Sequence, residues 1–278
     1  MATATTVDFR RMTIPERVYH LETEGYVILP DILSGNDVER IKAELESLPM
    51  RPSFYSDAPT FASQPPHTYS VACSDLIAYP PMLDFLETLM GDDLVFMHSH
   101  YILSHPGQPP LELHTDYQPY GSTYSGWLES CPVRIRVLYY LDDTGTDRAP
   151  LRILPRSHIC MHADAHPYKR YRAHADEVLI PIEAGGAFVF SVRLFHGVGP
   201  NTTQQTRGML EYDYRPSWAR PYQPLEEWAQ PPAGEVSRRA EKLLRSRNTL
   251  DFRWEFDMKR ETRDEPAPGM TPRRWNKA

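Results

Sequence analysis

From residue 94 onward the chain breaks into seven short apolar or alternating runs, at 94–103, 111–117, 133–141, 150–154, 178–183, 187–195 and 207–214, each closed by turn residues. Runs this short and closely spaced pair as a sandwich or barrel, and they leave no room for the crossover helices of a βαβ nucleotide fold. Helical patterns come before them. Thr13 and Pro15 open and Gly25 closes a short helix, with proline in the first turn and glycine past the end. The apolar stretch Tyr26–Leu29 follows as a strand. Ser34 stands three residues before Asp37, and Val38, Ile41, Leu45 and Leu48 recur at helical spacing, so a capped second helix is predicted there. Residues 82–90, closed by Gly91, read as a third helix. Residues 49–80 show no period and are expected to be a long loop. The expected architecture is mainly β with flanking helices.

A length of 278 residues suits one large core. One domain is expected over 1–218, with a charged extension over 219–278. In that extension Val236, Ala240 and Leu243 mark a helix at 235–245, expected to pack on the body or on a second subunit, which would make a homodimer. Thirty Lys and Arg against 37 Asp and Glu leave a net charge of −7, which argues against a nucleic-acid partner. Cys73, Cys131 and Cys160 form no CxxC pair, so neither a disulfide framework nor a cysteine zinc site is indicated. A cytoplasmic protein with no membrane segment is expected.

The chemistry begins with His-x-Asp/Glu, two metal-binding side chains on one face of a strand. Four such triplets occur: His20–Glu22, His114–Asp116, His162–Asp164 and His174–Asp176. The first lies in a predicted helix, where residues two apart face different ways, and the last two lie in a polar, strandless stretch. His114 and Asp116 alone combine a predicted strand with a following loop that can form a pocket mouth. A third ligand is available at His196, which closes the apolar run 187–194 before the turn at Gly199, Pro200 and Asn201. Arg207 opens the next strand, and a histidine and an arginine across a hairpin can face one interior. Such an arginine suits the distal carboxylate of 2-oxoglutarate, which asks for a planar, two-pronged cation.

In these pieces the sequence resembles the phytanoyl-CoA dioxygenase family of Fe(II)/2-oxoglutarate oxygenases. The resemblance rests on Glu24 to Pro30 before the capped helix, His114-Thr115-Asp116, Leu151 to His158 ending Pro155-Arg156-Ser157-His158, Gly185 to Phe190, and His196 to Asn201 with Arg207, in the family's order over residues 16–214. It implies a double-stranded β-helix, a jelly-roll of the cupin kind, with His114, Asp116 and His196 holding Fe(II) and Arg207 holding 2-oxoglutarate. Two positions depart from the family pattern. Its common Pro-Gly-Ser-His reads Pro155-Arg156-Ser157-His158 here, and Val198 replaces the small hydroxylic residue often found two after the distal histidine. Tyr101 is then the candidate second contact to 2-oxoglutarate.

The resemblance further implies that O2 is the oxidant, that succinate and CO2 are released, and that a C–H bond of a small-molecule metabolite is hydroxylated. Desaturation, epimerisation or cyclisation by the same chemistry, and a non-catalytic metal- and 2-oxoglutarate-binding sensor or scaffold, are the alternatives. The segment 117–131, with Tyr120, Tyr124 and Trp127, follows directly on the metal strand and is a candidate substrate lid, as are 51–78 and 156–177. His98 and His100 share one face of the first long strand and read as core histidines or as supports for the site.

Overall fold

The computed structural model describes residues 2–3, 7–116, 134–159, 171–221 and 224–251. Helix α1 (Ile14–Glu24) is capped by Thr13 and Glu16, each bonding the other's backbone, and ends on Gly25 at φ +90°. Only glycine sits easily there: a Cβ would stand 2.5 Å from His158 Nδ1 and 2.8 Å from Leu194 Cδ1. Helix α2 (Gly35–Leu45) carries the Ser34/Asp37 capping box and buries Val38, Ile41 and Leu45. Helices α3 (Val71–Asp75) and α4 (Pro80–Met90) complete the amino-terminal layer, and α5 (Arg238–Leu243) lies in the extension. Among the described residues no helix is long and apolar enough to cross a membrane.

The described residues form twelve strands: β1 (Ala2–Thr3), β2 (Tyr26–Leu29), β3 (Met50–Ser53), β4 (Ser56–Ala62), β5 (Leu94–Ser104), β6 (Leu111–His114), β7 (Ile135–Tyr140), β8 (Leu151–Leu154), β9 (Val178–Ile180), β10 (Ala187–Ser191), β11 (Phe195–Val198) and β12 (Arg207–Pro216). They form a seven-stranded sheet in the order β2-β10-β7-β12-β5-β4-β3 and a five-stranded sheet in the order β1-β9-β8-β11-β6. This is the jelly-roll, double-stranded β-helix expected from the sequence. The outer face of the long sheet is apolar and aromatic. There Tyr212 donates to Cys73 O at 2.6 Å and Tyr214 to Ile77 O at 3.0 Å, bolting the helices on. The alternate residues of β5, β7 and β12 face the other way, into the space between the sheets.

Three expectations are corrected. Residues 49–80 are not a loop: β3 and β4 form a hairpin and α3 follows. Pro52 and Pro59 hide the pattern, because proline fits a sheet only at an edge, and this hairpin is the edge, joined to β5 through Phe61 and Ile102. The run 187–195 is two strands in different sheets. A turn closed by Leu194 N–H donating to Ser191 O carries the chain from one sheet to the other. For the same reason β11 and β12 are not a hairpin; His196 and Arg207 come from opposite sheets.

The described part of the extension lies on the body. Ala240 and Leu243 are buried, Arg239 pairs with Asp84 and Glu87, and Arg215 donates to the carbonyls of Ala219, Arg247 and Thr249.

Candidate active site

β6 and β11 are paired with His114 directly opposite His196. Gly197 lets the two strands close together, since a Cβ there would meet Leu111 O at 2.5 Å. His114 Nδ1 lies 2.8 Å from Glu112 O and His196 Nδ1 lies 3.0 Å from Leu194 O. A carbonyl only accepts, so each Nδ1 carries a proton, and in the neutral ring each Nε2 keeps its lone pair. Both lone pairs face one carboxylate: His114 Nε2 is 3.6 Å from Asp116 Oδ1, and His196 Nε2 is 3.2 Å from Asp116 Oδ2. The Asp116 backbone is fixed by its N–H to Val192 O at 3.0 Å. The Pro155–His158 motif braces this corner: Ser157 Oγ accepts from Phe195 N–H at 2.8 Å, and His158 Nε2 lies 2.9 Å from Glu22 O. Arg156, in the place of the expected glycine, adopts φ +67° and forks onto Glu24.

Arg136 binds three carboxylates. Its Nη1 is 2.6 Å from Asp116 Oδ2 and 3.2 Å from Glu211 Oε2, and its Nε is 2.8 Å from Asp213 Oδ1. Burial alone would raise the Asp116 carboxyl, but the Arg136 guanidinium and the two imidazoles outweigh it and hold the group well below the usual carboxylate range. Burial, reinforced by the neighbouring His196, pushes His114 down to about 4. The site therefore presents a neutral His114 imidazole and an ionised Asp116 carboxylate at neutral pH, with His196 Nε2 turned toward the same carboxylate.

The cavity in front of them has a volume of about 370 Å³ and is also lined by Arg207. Arg207 is 1% exposed, and among the described residues its Nε and Nη1 have no hydrogen-bond partner and its Nη2 reaches only Ala149 O at 3.4 Å. Its guanidinium stands 5.7 Å from the Tyr140 ring. A buried cation without a counter-charge is a strong receptor for an anion. Val198 lines the same cavity and offers no hydrogen bond there.

The expectation for Tyr101 is corrected. On β5 the cavity-facing residues are His98, His100 and Ile102, so Tyr101 points the other way, its hydroxyl beside Gly208. Burial and nearby Asp142 raise that phenol to about 12. Among the described residues, the tyrosine that lines the cavity together with Arg207 is Tyr55, from the β3–β4 hairpin. His98 and His100 line the cavity with Glu211 rather than filling a core. The sequence reading passed over Tyr55, Arg134, Arg136, Glu211 and Asp213. A usable signal existed: charged residues at every second position of otherwise apolar strands, as in Arg134-x-Arg136 and Glu211-x-Asp213. Tyr120, Tyr124 and Trp127 lie outside the described residues, as do His162 and Asp164. His20 packs between Phe9 and Tyr26, and the backbone of His174 bonds Glu177.

Two imidazole nitrogens and a carboxylate form the donor set of a 2-His-1-carboxylate Fe(II) centre, and their ligand atoms lie within 4.8 Å of one another. The buried, unpartnered guanidinium fits the far carboxylate of a keto-diacid. Both groups are therefore compatible with the residues present. The family model for phytanoyl-CoA dioxygenase matches residues 21–209. The dioxygenase af480 of Aspergillus fumigatus is 23% identical over 223 residues, spanning 76% of this chain and 68% of that protein. HygX from Streptomyces hygroscopicus, whose structure holds nickel, 2-oxoglutarate and hygromycin B, superposes with a TM-score of 0.62 at 19% identity, over 81% of this chain and 96% of that one. The non-heme alpha ketoglutarate dependent epimerase SnoN from nogalamycin biosynthesis shares the fold with a TM-score of 0.61 at 19% identity, over 80% and 96% of the two chains. The match across more than half of the chain, on the motif-bearing strands, places this protein in the phytanoyl-CoA dioxygenase family, as a non-haem Fe(II)- and 2-oxoglutarate-dependent dioxygenase.

Proposed function

We propose that the enzyme hydroxylates an unactivated C–H bond of a small-molecule metabolite, with His114, Asp116 and His196 as the iron ligands and Arg207 as the anchor of the 2-oxoglutarate distal carboxylate. The observation that carries this reading is the meeting of two Nε2 lone pairs on the Asp116 carboxylate, with the unpaired Arg207 guanidinium in the same cavity. When bound, Fe(II) and 2-oxoglutarate supply the oxidation: of the two atoms of O2, one enters succinate and one the substrate carbon, with CO2 released.

The chain's own groups do the positioning. Glu112 O and Leu194 O fix the tautomer and the ring plane of each histidine, the usual support for a metal-binding imidazole. Arg136 keeps Asp116 ionised and aimed. Phe190, whose ring centroid is 4.7 Å from that of His196, joins Leu111, Leu151 and Val198 in an apolar lining that excludes water from the reacting carbon. The aromatic hairpin residues Phe54, Tyr55 and Phe61 reach the same cavity and orient the substrate.

The test is anaerobic reconstitution with Fe(II) and 2-oxoglutarate, followed by O2 and a metabolite panel with mass spectrometry. Hydroxylation adds the mass of one oxygen atom, labelled from 18O2; loss of two hydrogens or no mass change identifies desaturation or epimerisation instead. The His114→Ala and His196→Ala variants are expected to lose metal binding and succinate formation together. Wild-type loading with metal in either variant contradicts the ligand assignment.

A further inference from the structure

Opposite the iron-ligand corner, the inner face of the long sheet carries a second polar cluster. His98 and His100 lie two apart on β5, and Glu211 on β12 is the direct cross-strand partner of His100. His98 Nε2 is 2.9 Å and His100 Nδ1 is 3.2 Å from the same oxygen, Glu211 Oε1. The other oxygen, Oε2, is met by Arg136 Nη1 at 3.2 Å. Arg134 Nε bonds Asp213 Oδ2 at 2.5 Å, and Arg134 Nη2 lies 3.4 Å from His98 Nδ1. His98, His100, Arg134, Arg136 and Glu211 all line the cavity.

The proton arrangement of His98 separates it from the iron-ligand histidines. A guanidinium only donates, so His98 Nδ1 accepts and its Nε2 carries the proton, turned toward Glu211. At His114 and His196 the arrangement is the reverse. With Arg134 on His98 and Arg136 on Glu211, a cation here would stand beside two guanidinium groups, so this wall is unsuited to a metal.

It is suited to a hydroxyl. Glu211 is held ionised: burial would raise it, but Arg136 and the two histidines keep it well below the usual range. A carboxylate only accepts, so His100 donates from Nδ1, and in the neutral ring Nε2 is an acceptor. His100 has 43% of its side chain exposed on the cavity wall, and its Nε2 makes no hydrogen bond among the described residues. The charge balance points to the class of ligand. Arg134 and Arg136 are taken up by Asp213 and Glu211, and Arg136 by Asp116 as well, so no guanidinium of the wall is free for an added anion. Around this handle the surface is carbon: Phe54, Phe61, Ile102 and Met209 line the cavity, and the ring of Phe61 meets that of His100 edge-on at 6.4 Å.

We infer that the His98–His100–Glu211 wall is the substrate-recognition surface, and that it takes an uncharged, largely hydrocarbon molecule whose hydroxyl donates to His100 Nε2. The inference rests on the oxygenase reading above and adds the class of substrate. Glu211 is a positioning residue: it sets which nitrogen of His100 is bare.

The test uses a panel of uncharged cyclic alcohols of ten to fifteen carbons, the methyl ethers of the same skeletons, and carboxylates derived from them. Binding is read in Zn(II)- and 2-oxoglutarate-loaded protein, which is diamagnetic and does not turn over, from the 15N signals of the His100 ring. Succinate formation is read separately in the Fe(II) enzyme. Among the panel, alcohols are expected to bind about three- to tenfold more tightly than their ethers and to shift the His100 Nε2 signal, with the carboxylates weakest. In His100→Phe the alcohol and its ether are expected to bind equally, while 2-oxoglutarate affinity is unchanged. Ethers or carboxylates binding as well as alcohols, an alcohol preference that survives in His100→Phe, no binding by any alcohol, or loss of 2-oxoglutarate binding in that variant overturns the inference. Failure of the oxygenase reading shows differently: the wild-type Fe(II) protein then develops no charge-transfer band with 2-oxoglutarate, whatever the panel does.

Discussion

Replacing Arg207 with methionine separates holding a co-substrate from holding the fold, because the two effects have opposite signs. Arg207 is 1% exposed, and among the described residues its Nε and Nη1 have no hydrogen-bond partner and its one hydrogen bond, to Ala149 O, is long at 3.4 Å. Removing an ion from water costs several kcal/mol even in a relaxed protein, and among the described residues no carboxylate pairs with this guanidinium in contact, Asp142 acting only from a distance. Burial accordingly depresses the pKa of this guanidinium. Methionine keeps most of the stem and removes the charge. The ligand-free variant is therefore expected to be at least as stable as the wild type, by 0 to about 2 kcal/mol, which raises Tm by up to about 8 °C. Binding moves the other way. Truncating one partner of a buried, hydrogen-bonded ion pair costs about 2–5 kcal/mol, so 2-oxoglutarate affinity should fall between about 30-fold and several thousand-fold. Differential scanning fluorimetry reads both effects: wild-type protein at a hundred times Kd gains about 2.7 kcal/mol from the ligand, and the variant gains at most about 0.9 kcal/mol at that concentration. A variant that melts well below the wild type and still responds to 2-oxoglutarate would refute the reasoning.

Three further outcomes are expected. Arg156→Gly relieves a left-handed residue worth about 1–2 kcal/mol and loses an ion pair on an arginine side chain that is 71% exposed, itself worth about 0–1 kcal/mol. Urea unfolding should show a net gain of about 0–2 kcal/mol, and a loss above about 1 kcal/mol would show that the Glu24 fork matters more than the backbone. Arg136→Met leaves Asp116, Glu211 and Asp213 with one guanidinium between them. It should cost about 3–5 kcal/mol of stability, and a cost under 1 kcal/mol contradicts the bridging role. Burial, then the nearby His98 and Arg247, lowers His67 to about 3, and burial with His196 lowers His114 to about 4. The unfolded chain takes up these protons near pH 6.5 and the folded chain does not, so the stability of metal-free protein should fall as pH drops from about 6.5 toward 4, by up to about 3 kcal/mol per ring. His67→Phe should flatten the slope of the pH–stability curve, and an unchanged slope would exclude His67 as its source.

The parts of the fold that were legible in the sequence are those set by local chemistry. Thr13, Ser34 and Gly25 announce their helix ends because capping is settled within four residues. The apolar runs announce strands because alternation or continuous burial is written into the residues themselves. The hairpin β3–β4 was not legible, since Pro52 and Pro59 are strand-breaking in isolation and become acceptable only at a sheet edge that the rest of the molecule creates. The division of 187–195 was also hidden, because both halves are apolar and the switch of sheets is a turn of three residues.

His114, Asp116, His196 and Arg207 could be singled out in the sequence because each belongs to a short pattern of distinctive chemistry, and the cavity brings all four together. Arg136, Glu211 and His100 carry no such pattern. Their meaning comes from cross-strand register, which places Glu211 opposite His100 and sets Arg136 within reach of Asp116 and Glu211 at once. Sequence by itself fixed the kinds of element, their order and the residues able to bind a metal and a carboxylate, because those properties reside in single side chains and their near neighbours. Only tertiary structure decided which strands share a sheet, that Tyr101 faces away while Tyr55 faces in, and which imidazole nitrogen is bare. Those are matters of which face each strand turns inward and of which hydrogen-bond partner lies across the gap.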